Sequence, residues 1–145
     1  MAELLQGPIP GDHDWGQPPA DCGALVQFHG IVRNHHQGRT VTGIHYHAYA
    51  PLAQRALNEL EAACSRQFEL PWCRIAHGTG WMAVGEISVV ILTASPHRDA
   101  AYAANRWAID QLKHTAPIWK QERFADGSQA FAAGQPIESL NDQAP

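Results

Sequence analysis

Two prolines frame the stretch of this sequence that most constrains its fold. Pro96 and Pro117 bracket a run of helical character, His97 to Ala116. Proline suits a first helical turn, where its missing N–H is no loss, and Asp99 adds negative charge near the same end of the helix dipole. The residue before Pro117 is pushed out of the α region, so the helix ends there. Just upstream, Ile87 to Leu92 is nearly continuous in β-branched and apolar residues, the pattern of a strand buried on both faces. A buried strand feeding directly into a helix commits the chain to helices layered on a sheet.

The remaining elements follow from periodicity. Met1–Asp21, rich in Pro, Gly and Asp, reads as an extended arm with a short strand at Glu3–Gln6. Cys22–Arg33 alternates and is rich in β-formers, with Gly30 at a bulge or close approach. Asn34–Thr40 is polar and contains Gly38, which predicts a turn or mobile loop. Val41–Tyr49 is a strand with Ile44, Tyr46 and Ala48 on one face and His45 and His47 on the other. Pro51 opens a helix to about Phe68, whose apolar stripe is Leu52, Ala56, Leu57, Leu60, Ala63, Cys64 and Phe68, with Glu59 and Glu61 outside it. Pro71 closes it. Arg74–Trp81 is strand-like, Met82–Gly85 a turn, and Glu86–Ser95 the buried strand. Ile118–Phe124 is a strand, joined through Asp126-Gly127 to a hairpin partner at Gln129–Ala132. The expected division is an arm, 1–21, a single domain, 22–132, and a polar C-terminal tail, 133–145. The order predicts an α+β domain in which two main helices pack on a mixed or antiparallel sheet.

Composition narrows the function. At 145 residues the chain forms one domain with a real core. A net charge of −4 argues against a general nucleic-acid binder. Cys22, Cys64 and Cys73 are odd in number and lack CxxC spacing, which favours free thiols in a reducing compartment. The N-terminus has no secretory pattern, and no apolar run approaches the ~20 residues of a membrane span. The expected location is cytoplasmic.

The sharpest chemical signal lies in the lysines. Among ten basic residues only two are lysines, Lys113 and Lys120, and both fall in the stretch framed above. Unlike arginine, a buried lysine loses its proton readily and can act as base or nucleophile. Arg33, His97, Arg98, Lys113 and Lys120 each stand at the end of a predicted element, where sites are usually built. If the strand ending at Arg33 lies near the start of the second helix, these groups converge and could hold a phosphate or carboxylate. Scattered surface charge is the alternative. His45 and His47 share a strand face and could reach one metal, but no carboxylate or cysteine completes a ligand spacing, so no metal is expected. No cysteine has an activating partner, and no resident cofactor is expected.

Several of these segments resemble the large, catalytic subunit of molybdopterin synthase, the MoaE family. The pieces are Phe28-His29-Gly30-Ile31-Val32-Arg33-Asn34, Tyr49 to Leu52, Val84-Gly85-Glu86, Ser95-Pro96-His97-Arg98, and the run Leu112 to Glu122 with its Lys-x-x-x-Pro-x-Trp-Lys-x-Glu pattern. The resemblance spans about Cys22 to Phe131. It implies an α/β hammerhead fold and a homodimer. Each large subunit would take one small, ubiquitin-like subunit whose C-terminal Gly-Gly carries a thiocarboxylate. Sulfur would pass in two rounds to cyclic pyranopterin monophosphate, giving the dithiolene of molybdopterin. Carried over by position, Ile31, Val32, Arg33, His97 and Arg98 would bind substrate. Lys113 and Lys120 would be the catalytic and binding lysines, with Gln121 and Glu122 alongside. Two positions depart from the family pattern. Gly78 follows His77 where members often have arginine, and Gly134 and its neighbours offer no arginine past the Trp-Lys motif.

The chemistry agrees with the resemblance. Substrate and incoming thiocarboxylate are both anions, and bringing them together needs fixed positive charge. Opening the cyclic phosphate needs a proton donor, a role for a lysine whose pKa its cationic neighbours lower. A non-catalytic module that holds an anion or a partner's tail in the same pocket would tolerate Lys→Arg at 113 and 120, whereas a proton-transferring lysine would not.

Overall fold

Ile87–Ser95 forms a strand in which every residue from Ser88 onward is buried, as its unbroken apolar pattern predicts. The structure around it, a computed structural model, describes residues 1–132, so the expected tail at 133–145 lies outside the described residues. In chain order the elements are β1 (Glu3–Gln6), β2 (Ala24–Ile31), β3 (His35–His36), β4 (Arg39–Ala48), α1 (Ala50–Gln67), β5 (Trp72–Ala83), β6 (Ile87–Ser95), α2 (Arg98–Thr115), β7 (Ile118–Phe124) and β8 (Gln129–Phe131). The sheet runs β2-β6-β5-β4-β7-β8, with β3 on β4 and β1 parallel to β5. The other pairings are antiparallel. The result is the expected α+β arrangement: two helices on a mixed, mainly antiparallel sheet.

Strand alternation explains how β6 is covered twice. Val89 and Ile91 face the helices and pack with Leu57, Leu60 and Cys64 of α1 and Ala104, Ala108 and Leu112 of α2. Val90, Leu92 and Ala94 face the other way and pack with Ile9, while Trp15 and Cys22 lie against the same cluster. The arm therefore roofs the second face. Backbone bonds hold it there: Gly7 N–H donates to the Thr79 carbonyl at 2.7 Å and Ile9 N–H to the Ile87 carbonyl at 2.9 Å. At Gly78 the arm comes so close that a Cβ would lie 2.3 Å from the Gly7 carbonyl oxygen. No side chain, arginine included, fits there.

Two pairings set the direction of everything near the cleft. β2 is antiparallel to β6, with Ala24 opposite Ser95 and Ile31 opposite Ile87. α2 then runs back over β6: the Thr93 hydroxyl donates to the Ala101 carbonyl at 2.7 Å, and the buried Asn105 amide donates to the Ile91 carbonyl at 3.0 Å. The far end of β2 thus meets the C-terminal end of α2, not its start. A register shift between Gly30 and Ile31 marks the expected bulge; a Cβ on Gly30 would meet the Val89 side chain at 2.4 Å.

Four details differ from the sequence reading. Residues 34–40 form the β3–β4 hairpin, whose turn residues Gln37 and Gly38 have φ of 50° and 77°, the left-handed pair that tight hairpins need. α2 begins at Arg98 with His97 as its cap residue, so Pro96 stands just before the helix. β5 extends through Ala83 because its first half pairs with β6 and its last residues pair with β4. On α1, Leu52 is exposed and Glu61 is buried. The Glu61 carboxylate accepts the Ile75 N–H at 2.8 Å and pairs with the Met1 ammonium at 3.1 Å.

Candidate active site

Where α2 ends, the sheet continues, and among the described residues nothing roofs it. A cleft of about 430 Å³ opens there, walled by the end of β2, the β3 hairpin, β4, the last turn of α2 and β7. Local geometry aims the side chains. Ile118, Lys120 and Glu122 share one face of β7 by strand alternation, and all three line the cleft. Opposite them on β4, Tyr46 pairs with Lys120 and Ile44 with Glu122. Lys113 reaches the cleft from the last turn of α2, and Arg33 and Ile31 reach it from beyond the β2 bulge.

Three cations, Arg33, Lys113 and Lys120, thus face one lining carboxylate, Glu122, in a chain whose net charge is −4. Glu122 is only 6% exposed, and its Oε1 lies 2.6 Å from His36 Nδ1. Lys120 keeps part of its surface exposed but stands in the concave wall of the cleft. Its pKa is lowered, first by burial and then by the charge of Lys113, with Arg33 adding a smaller push in the same direction. Glu122 opposes the shift. Tyr46 is buried and keeps its proton more firmly than an exposed phenol, again mainly through burial.

The expected residues divide into two groups. The structure brings Ile31, Arg33, Lys113, Lys120 and Glu122 together in this cleft. Val32 is 2% exposed and sits in the core with Ile44, Tyr46 and Met82; its backbone anchors the β2 exit, donating to the Glu86 carbonyl and accepting from Gly85. Gln121 points to the opposite face of β7, where its Oε1 lies 2.8 Å from His47 Nε2. His97 and Arg98 are exposed at the start of α2. Fifteen residues separate Arg98 from Lys113, or about 22 Å of helix rise. The expected convergence of Arg33 with the start of α2 does not occur within one chain, because β2 is antiparallel to β6.

Two cleft histidines escaped the sequence reading as site residues. His36 lies on the hairpin read as a loop. His77 continues the period-two face of Cys73 and Ile75, which would have pointed to it. His45 and His47 stack on the outer face with ring centroids 4.2 Å apart. Among the described residues no group of three or more His, Cys, Asp or Glu could hold a metal ion.

Known proteins share both the sequence and this frame. Residues 13–115 match the family described as MoaE protein. The chain is 42% identical over 107 residues to the molybdopterin synthase catalytic subunit of Culex quinquefasciatus, covering 73% of this chain and 68% of that one. It is 39% identical over 132 residues to that of Bacillus subtilis, covering 85% and 84%. The crystal structure of molybdopterin synthase from Staphylococcus aureus superposes with a TM-score of 0.79 at 30% identity, over 90% of this chain and 96% of that one. A Helicobacter pylori complex of subunits 1 and 2 of molybdopterin-converting factor shares the fold, with a TM-score of 0.70 at 18% identity, over 94% and 92%. With most of its length matched in sequence and a cationic cleft on the shared frame, the chain belongs to the MoaE family.

Proposed function

We infer that this cleft is the sulfur-transfer site of a molybdopterin synthase large subunit, the activity carried by the family to which the chain belongs. The observation that carries the assignment to this cleft is the environment of Lys120, whose ammonium is destabilised by burial and by two neighbouring cations. Such a lysine exchanges protons closer to neutral pH than an ordinary one, which is where general acid–base catalysis is efficient. Arg33 and Lys113 would hold the anions, the phosphate of cyclic pyranopterin monophosphate and the thiocarboxylate tail of a small ubiquitin-like subunit. In each round a carbon–sulfur bond forms at a substrate carbon as a carbon–oxygen bond breaks, the oxygen leaving with the ring phosphate in one round and as water in the other. Water then cleaves the acyl–sulfur bond, and the tail leaves as a carboxylate. Lys120 would protonate the leaving oxygen when the cyclic phosphate opens. Glu122, fixed by His36, would orient Lys120.

His97 and Arg98 belong to this scheme only if a second copy supplies them. We propose a homodimer in which the His97–Arg98 end of α2 in one copy approaches the Lys113 end in the other. β2 is an edge strand with Leu25 and Ile31 half exposed, a surface that calls for cover. Among the described residues no helix is long and apolar enough to cross a membrane, and we place the protein in the cytoplasm. Incubation with a thiocarboxylated small subunit and cyclic pyranopterin monophosphate tests the function, with the sulfur-bearing product read by mass. A dimer is expected in sedimentation at micromolar concentration. Absence of product with an active small subunit would remove the catalytic assignment, and a monomer would remove the shared site.

A further inference from the structure

His77 has no part in the scheme above, yet its surroundings are specific. The side chain lines the cleft from β5 and is 5% exposed. Nδ1 lies 2.7 Å from the Gly78 carbonyl oxygen, which can only accept, so Nδ1 carries the proton. In a neutral imidazole Nε2 is then a bare lone pair; no side chain or backbone group of the described residues bonds it, and it opens to the cleft that His77 lines. The ring stands edge-on to Tyr46, with centroids 5.3 Å apart. Its neutrality is enforced: burial and, to a smaller extent, the charge of Lys120 push its pKa down to about 4. An acceptor held in one tautomer and turned to a cleft, with no protein donor of its own, is free to take a donor from a ligand that displaces water there.

We infer that His77 Nε2 is a substrate contact, accepting a hydrogen bond from an N–H of the substrate's neutral nitrogen heterocycle. The inference rests on the reading of the cleft as the pyranopterin site. A lone pair repels phosphate and thiocarboxylate oxygens, so His77 cannot serve the anions that Arg33 and Lys113 attract. His77, Tyr46 with its retained hydroxyl proton, and the apolar Ile44 supply uncharged lining from β5 and β4, with Lys120 across from Tyr46, whereas Arg33 and Lys113 bring their charges from the β2 exit and the end of α2. That division orients an asymmetric ligand, with its ring system toward His77 and its phosphate toward the cations.

The test uses the full chain without small subunit, so that no sulfur moves, and titrates cyclic pyranopterin monophosphate and inorganic phosphate separately by calorimetry. His77→Asn keeps an amide donor for the Gly78 carbonyl but places no acceptor at Nε2; His77→Gln reaches that position. His77→Asn should weaken pyranopterin binding roughly tenfold, the scale of one hydrogen bond. It should leave phosphate binding unchanged, and His77→Gln should recover part of the loss. Equal loss of both ligands, or no loss of either, overturns the inference. Lys113→Ala separates the two levels. If it weakens pyranopterin binding and His77→Asn does not, only the His77 contact fails; if neither does, the reading of the cleft fails. In the unmodified chain the His77 Nε2 nitrogen resonance should move on adding the pyranopterin and stay put with phosphate. An unmoved resonance under saturating pyranopterin overturns the contact even if the variants do not fold.

Discussion

The two halves of the sheet are built on different physics. In the β2–β6–β5 half both faces are covered, by helices on one side and by the arm on the other, and the residues between are apolar and tightly packed. In the β4–β7 half the roof stops at the end of α2, and the same kind of strand presents Lys120, Glu122 and Tyr46 to an open cleft. The first half derives its stability from burial. The second spends part of that stability on crowding like charges and leaving a histidine neutral. The difference teaches that the proposed site lies where the helix layer runs out, not at a special element of its own.

The largest expected effect falls in the covered half. Leu57, fully buried on α1, should cost about 4 kcal/mol of stability on replacement by Ala, since packing around it cannot close the cavity. Urea unfolding measures the loss, and the folded fraction should keep its cleft chemistry. A loss below 1 kcal/mol would erase the contrast between the halves.

His77 sharpens the comparison from the other side. Its pKa is about 4 folded against 6.5 unfolded, so between those values the unfolded chain holds a proton that the folded chain lacks. Stability should be flat in this term above pH 6.5 and fall by about 3 kcal/mol as pH drops to 4. His77→Asn should remove that slope, which thermal melts across the pH range would read.

Lys120→Ala should leave stability within about 0.5 kcal/mol, since it sheds a strained charge, while cutting single-turnover sulfur transfer by roughly 10²-fold or more. Lys120→Arg should recover little, because arginine does not give up its proton. Smaller again, Arg33→Ala should weaken substrate binding by about 2 kcal/mol, the scale of a charged hydrogen bond. Titration calorimetry would show it, and unchanged binding would release Arg33 from the phosphate.

Local signals made most of the frame legible. The Pro96–Pro117 bracket, the apolar run at β6 and the alternation in β4 depend on neighbours in the chain, and the structure follows them closely. The site was half legible. Lys113 and Lys120 stood out because the chain has so few lysines, and period two put Glu122 beside Lys120. What sequence could not show was pairing direction. Only the antiparallel match of β2 to β6 reveals that Arg33 joins Lys113 rather than Arg98. Glu61 was misread for a related reason: its burial is set by a distant backbone N–H on β5, which no helical periodicity contains. His36 was hidden because Gln37, not a glycine or asparagine, takes one of the two left-handed turn positions.

α2 also sets how the gene can change. Within its eighteen residues, the stretch from Arg98 to Leu112 forms a rigid spacer between the His97 cap and Lys113. One inserted codon would turn one end about 100° against the other and lengthen the spacer by about 1.5 Å, whereas seven would nearly restore the facing at a cost of about 10 Å. Length variation should therefore be purged from this helix and tolerated in the β3–β4 hairpin only at its Gln37–Gly38 tip, beyond the His36 that meets Glu122.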